Sequence, residues 1–175
     1  MSAKKILTLV FLFATDPTGN RRVLLGMKKR GFGVGLWNGF GGKVEPGETI
    51  EQGARREVQE ECGLVCGALR RAGVLWFEFG TDPMGLECHL YVGDVDAEAE
   101  GTETEEMRPQ WFPAESVPFE LMWADDSIWW PYVLSNRPFS AAFWFGEDKK
   151  TILRQNVELV ETLPAGWDVD IKDWA

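Results

Sequence analysis

Between Thr49 and Gly63 the chain carries the start and stop signals of one helix, and that helix constrains everything around it. Thr49 can accept a hydrogen bond from the backbone three residues on, and Gln52 can return one, which is the pattern of a capping box. Pro46 and Gly47 block an earlier start, and Gly63 suits the left-handed residue that closes a helix. The spacing predicts a helix over 49–62. On a wheel of about 100° per residue, Ile50, Ala54 and Val58 form an apolar stripe. Glu57 and Glu61 fall inside that stripe about 40° apart, and Glu60 lies about 60° to one side.

These glutamates break three local rules. Like charges four residues apart repel, at roughly 0.2–0.5 kcal/mol per pair. Carboxylates in the last turn oppose the helix dipole. Partial burial of a carboxylate costs more than either unless something compensates. Conflicts of this kind concentrate at functional sites. A hard divalent cation bound by clustered carboxylate oxygens is the simplest compensation. The competing reading is an acidic surface turn neutralised by Arg55 and Arg56. Arg55 faces away from the Glu57–Glu61 ridge, whereas Arg56 stands close enough to Glu60 to orient it.

The stretch before the helix, RGFGVGLWNGFGGKVEPGE at 30–48, holds seven glycines. Such a loop is either a plain connection or a place where backbone closely approaches a ligand. Lys28, Lys43 and the amides of Gly41 and Gly42 offer positive potential beside the glutamates. Carboxylates for a cation, lysines and bare amides together are what phosphate chemistry uses.

Alternation and turn chemistry predict strands over 6–14 and 21–29, joined as a hairpin by the DPTGN turn at 16–20. Further strands are expected over 72–80, 86–95, 107–112, 141–146 and 151–161, with an acidic loop at 97–106 and a second helix at 124–136. The fold class is α/β, a mixed sheet flanked by helices, in one domain over 1–163 with an unplaced tail at 164–175. A chain of 175 residues with 45% apolar composition can bury a core of that kind. Its nine tryptophans and eleven phenylalanines suit either that core or an aromatic-lined pocket.

Some classes are disfavoured. The single histidine, His89, excludes zinc sites built on two or three histidines. Three cysteines give no disulfide framework and favour a reducing compartment, so the expected location is cytoplasmic. The start MSAKKILTLVFLFA resembles a short signal peptide, but Leu12-Phe13-Ala14 is a poor cleavage site and a buried strand fits better. No transmembrane run is present. The net charge of −10 argues against a general nucleic-acid binder. The charge is uneven, +5 over residues 1–71 and −15 over 72–175, so a small polyanion would prefer the first part.

The segment GKVEPGETIEQGARREVQEECGL, 42–64, resembles the signature of the Nudix hydrolase family through Gly42, Glu48, Arg56, Glu57, Val58, Glu60, Glu61, Gly63 and Leu64. The resemblance implies an α/β/α sandwich that hydrolyses a nucleoside diphosphate linked to another group. It also implies Mg2+, with Mn2+ as an alternative, on Glu57, Glu60 and Glu61, with Arg56 among the catalytic residues and the carbonyl of Gly41 as a further ligand. RVLLGMKKRGFG, WNGFGGKV, EMRPQWF and MWADDSIWWP extend it, from about Thr8 to Val160, toward family members acting on oxidised purine nucleoside triphosphates. That branch implies Glu106 as another metal ligand. It implies substrate contacts from Thr8, Lys28, Phe32, Asn38, Phe40, Gly41, Gly42, Lys43, Phe77 and Phe79, with Trp123 stacking on the base beside Ala124. Asp125 and Asp126 would read the purine edge.

Two adjacent carboxylates beside a tryptophan can share a proton, because a like neighbour raises a pKa. The pair then offers both a donor and acceptors. The competing reading is that Asp125 or Asp126 only caps the helix that follows. The expected activity is hydrolysis of 8-oxo-dGTP and 2-hydroxy-dATP to the monophosphate and pyrophosphate, by a monomer. Rival readings are a Nudix hydrolase of O6-methyl-dGTP or of a dinucleotide, a non-catalytic nucleotide-binding module, and an RNA-decapping enzyme. The last is disfavoured by the acidic balance of residues 72–175.

Overall fold

A computed structural model describes residues 3–166. The expected tail is therefore seen only at Pro164–Gly166, and the rest of it lies outside the described residues. Eleven elements follow in chain order: β1 (Lys4–Thr15), β2 (Arg21–Lys28), β3 (Trp37–Asn38), α1 (Ile50–Cys62), β4 (Leu69–Phe79), β5 (Gly85–Asp94), β6 (Met107–Pro113), a short 3-10 turn (Phe119–Leu121), α2 (Asp126–Leu134), β7 (Phe139–Phe145) and β8 (Ile152–Leu159). The expected strands and both helices are present with shifted ends. The two-residue β3 and the 3-10 turn were not expected.

The strands form one mixed sheet in the order β3-β2-β1-β5-β4-β7-β8, with β6 on the other edge of β2. β1 runs parallel to β5, and β4 parallel to β7. Side-chain alternation along β1 divides the core. Phe11 and Phe13 face Trp129, Trp130 and Val133 of α2, in a cluster joined by Leu7 and Leu9. Val10 and Leu12 face Ala54, Val58 and Cys62 of α1. The result is a sheet between two helical layers.

One departure from a regular sheet makes room for a site. β1 and β2 pair over four positions only, Leu12 to Thr15 against Leu24 to Arg21. β2 then continues along β3 at Gly26 and Met27. The N-terminal half of β1 is instead paired by the glycine-rich segment, through bridges of Val10 with Phe40 and Leu7 with Lys43. The sheet thus opens between β1 and β2, and the glycine segment fills that opening. Gly41 shows why glycine is needed: a Cβ there would stand 1.8 Å from the carbonyl oxygen of Thr8.

Candidate active site

The cavity is built at one end of this sheet. It uses the starts of β1 and β5 and the ends of β2, β4 and β7, in accord with their directions. Its volume is about 490 Å³, within the usual range for small-molecule sites. Because the sheet is open beside β1, the cavity reaches both faces. Leu7, Leu9, Phe77 and Cys88 line it from the α2 side, and Thr8, Gly41, Gly42 and Glu61 from the α1 side.

The α1 end is the acidic one. Helix α1 starts at the capping box, Gln52 N–H to Thr49 Oγ1 at 3.1 Å and Thr49 N–H to Gln52 Oε1 at 2.8 Å. It stops at Gly63 with φ of 75°. The wheel's separation of Glu60 from the other two holds: Glu61 is 1% exposed, the Glu57 side chain 15% and the Glu60 side chain 59%. Arg56 is the counter-ion hub. It donates to Glu48 at 2.5 Å, Glu57 at 2.9 Å, Glu60 at 3.2 Å and the carbonyl of Lys43 at 3.0 Å. Arg55 turns away, to Glu51 and the carbonyls of Cys66 and Gly67. Glu106 is held by Arg30 at 3.1 Å.

Glu61 is different, since no arginine reaches it. Its Oε1 accepts from the Gly41 amide at 2.7 Å, and its Oε2 is buried without a partner. Burial pushes its carboxyl up to about 7, although the Gly41 amide and Lys28 pull the other way. Burial also raises Glu57, and the Arg56 hydrogen bond opposes that rise. Glu57 packs so closely on Gly42 that a Cβ there would stand 2.5 Å from its Oε1. An orphaned carboxylate oxygen, a second raised carboxylate and an all-oxygen donor set fit a hard divalent cation. Among the described residues no three acidic, histidine or cysteine side chains already converge on one point. Arg56 holds Oε1 of Glu57 and Oε2 of Glu60, and Arg30 holds Oε1 of Glu106.

The α2 end is aromatic and closed by two aspartates. Trp123 lies 4.9 Å from Phe32, 6.0 Å from Phe79 and 6.1 Å from Phe145 between ring centroids. Asp125 and Asp126 are each 2% exposed and line the same cavity. Asp125 Oδ2 accepts from Trp129 Nε1 at 2.7 Å, and Asp126 Oδ2 is buried without a partner. Asp125 stands at the helix N-cap position but makes no side-chain capping bond. Capping alone therefore does not explain this pair. Burial raises both carboxyls, that of Asp125 to about 6, and Asp125 raises Asp126 further.

Of the residues expected to contact substrate, Thr8, Lys28, Phe32, Asn38, Gly41, Gly42, Lys43, Phe77, Phe79, Trp123, Asp125 and Asp126 line the cavity. Two do not. Phe40 is wholly buried beneath α1, because its backbone pairs with Val10 and turns the ring into the core. Ala124 is exposed and lies outside the lining, since the turn before α2 directs Trp123 and Asp125 inward on either side of it. Sequence reasoning missed Lys5, Asp82, Phe145 and Lys149. Lys5 was legible from period 2, sharing a face with Leu7 and Leu9. Phe145 and Lys149 depend on the parallel pairing of β4 with β7, which no local signal announces, and Asp82 lies in the turn between β4 and β5.

A profile of the NUDIX domain matches residues 7–131. The oxidized purine nucleoside triphosphate hydrolase of Mus musculus is 46% identical over 162 residues, covering 93% of this chain and 99% of that protein. Its counterpart from Danio rerio is 47% identical over 164 residues, covering 93% and 100%. Among solved structures, the mutator MutT protein from Bacillus halodurans superposes with a TM-score of 0.72 at 25% identity, covering 88% of this chain and 97% of that one. With Glu61 of α1 lining the cavity and a domain match across most of the sequence, this chain is a member of the Nudix hydrolase family.

Proposed function

We propose that the chain hydrolyses oxidised purine nucleoside triphosphates, 8-oxo-dGTP and 2-hydroxy-dATP, to the monophosphate and pyrophosphate, and so clears damaged bases from the nucleotide pool. One observation carries the reading. A single cavity has an orphaned buried carboxylate, Glu61, at one end and two buried aspartates with raised carboxyls, Asp125 and Asp126, beside Trp123 at the other. The relatives from mouse and zebrafish, named for oxidized purine nucleoside triphosphate hydrolysis, support it.

Nudix hydrolases generally use a divalent metal. Glu57, Glu60, Glu61, Glu106 and the Gly41 carbonyl would hold Mg2+, or Mn2+ in its place. Bound there, the ion supplies charge neutralisation for phosphate oxygens and acidifies water. The rest falls to the chain's own groups. Lys28 and Lys43 line the phosphate end and draw the polyphosphate in. Arg56 keeps Glu57 and Glu60 oriented. One of Glu57, Glu60 and Glu61 takes the proton from the attacking water. Trp123 stacks on the base, and Asp125 with Asp126 meets its edge with one donor and several acceptors. An oxidised purine that has exchanged an acceptor for a donor is met by moving the shared proton. The three cysteines are free and buried, which suits work in the cytoplasm.

The test is product analysis. With Mg2+, 8-oxo-dGTP is expected to give 8-oxo-dGMP and pyrophosphate in equal amounts, and chelation is expected to stop the reaction. Release of orthophosphate, or full activity in chelator, would reject the assignment.

A further inference from the structure

We propose that Lys149 is a positioning residue for the nucleobase, holding Phe32 in place over the cavity by a cation–π latch thrown from the opposite rim. The proposal rests on the reading of the cavity as a purine nucleotide site.

The latch follows from topology. β4 and β7 are parallel and pair to their ends, Phe79 with Phe145. The turns that follow them therefore lie side by side. The Gly80 amide donates to the Phe145 carbonyl at 2.8 Å, and the Thr81 amide donates to Glu147 Oε1 at 3.1 Å. The β7–β8 turn is also braced from within. Asp148 accepts from the amides of Lys150 and Thr151 and from the Thr151 hydroxyl, and these bonds hold its carboxyl down to about 2.

Lys149 sits on this base with φ of 57°. That is the left-handed region, which a residue with a Cβ and no short polar side chain disfavours. Glycine or asparagine would make the turn with less strain, so the turn gains nothing from a lysine. Strain of this kind is tolerated where a side chain has work to do. The Lys149 Nζ stands 5.6 Å from the centroid of Phe32, within cation–π range.

Phe32 needs a restraint. It is 52% exposed and lies between Gly31 and Gly33, both at positive φ, in the most glycine-rich part of the chain. Its other ring partners are Trp123 and Phe79, both on the cavity wall. Lys149 bridges from the far rim and itself lines the cavity. Three other lysines line it, Lys5 and Lys28 from β1 and β2 and Lys43 from the glycine-rich segment. Lys149 is the one that stands over an aromatic ring, the ring packed on Trp123.

Two measurements on the full chain test this. Lys149→Met keeps the aliphatic stem and removes the charge, and Lys149→Arg keeps a cation for the ring. In hydrogen exchange, amides of 30–36 should exchange roughly threefold faster in the Met variant and at the wild-type rate in the Arg variant. In steady-state kinetics on 8-oxo-dGTP, KM should rise roughly threefold in the Met variant with kcat within about twofold, and the Arg variant should restore KM. Lys149→Gly, which relieves the backbone, should melt no lower than wild type yet show the same KM rise. Unchanged exchange in the Met variant, an Arg variant as poor as Met, or a loss confined to kcat would each overturn the latch. A wild-type enzyme inert on 8-oxo-dGTP would instead overturn the substrate reading, and the exchange experiment would still decide the latch.

Discussion

Replacing Glu61 with glutamine separates the helix's stability from its chemistry. In the metal-free protein the carboxyl of Glu61 titrates near 7 against a usual 4.5, because it is buried with one oxygen unpaired. A carboxyl raised in the folded state contributes stability that is complete below the unfolded pKa. That contribution drains away as pH rises through the folded pKa. At about 1.4 kcal/mol per pKa unit, about 2 kcal/mol is lost between pH 5 and pH 8. Glutamine can still accept from the Gly41 amide but cannot ionise, so Glu61→Gln escapes this loss. Its buried amide N–H groups carry their own penalty, roughly 1–3 kcal/mol, which does not vary with pH. The assay is urea unfolding in chelator at both pH values. The difference in stability, variant minus wild type, should grow by about 2 kcal/mol from pH 5 to pH 8. Turnover on 8-oxo-dGTP should meanwhile fall by two or more orders of magnitude, roughly, as expected for losing a ligand that acts on developing charge. Parallel stability curves with unchanged turnover would refute the claim that this carboxylate is kept strained for a cation.

Other expectations follow from single contacts. Asp126→Asn removes an ionisable group whose pKa burial and Asp125 raise. Its stability should therefore gain on wild type as pH rises, read by thermal melts from pH 5 to 8. kcat/KM for 8-oxo-dGTP should fall roughly tenfold from the fixed, partly unmatched amide. Gly41→Ala drives a Cβ into the Thr8 carbonyl. It should cost about 1–3 kcal/mol in urea unfolding and move the Gly41 amide off Glu61, so activity falls with stability. Thr49→Ala is the contrast. It deletes the capping bond, should cost about 1 kcal/mol, and should leave kcat/KM within about twofold.

Much of the site was readable because it is local. The capping box, the apolar stripe and the placing of Glu57 and Glu61 inside it with Glu60 to one side all follow from 3.6-residue geometry within one helix. The bond from Trp129 to Asp125 has the same four-residue spacing but was not read from the sequence. What stayed hidden is non-local. The opening between β1 and β2 depends on β2 leaving β1 after Leu24 for a two-residue strand, too short to have a period. Phe145 and Lys149 reach the cavity because β4 and β7 run parallel, and Asp82 because it lies in the turn between β4 and β5. Phe40 misled because its neighbours Asn38, Gly41 and Gly42 do line the cavity, while strand-like pairing with Val10 turns its own side chain inward. Leu163 packs against the cluster of Val74, Trp76 and Ala142.

The central claim is that the cavity joins a cation-ready carboxylate cluster to a base-reading aspartate pair. The most direct measurement is kcat/KM for 8-oxo-dGTP against dGTP on the wild-type chain at one fixed Mg2+ concentration. The account predicts a preference of roughly tenfold or more for the oxidised base, with pyrophosphate released from both. Equal rates on the two nucleotides, or a preference for dGTP, would contradict it.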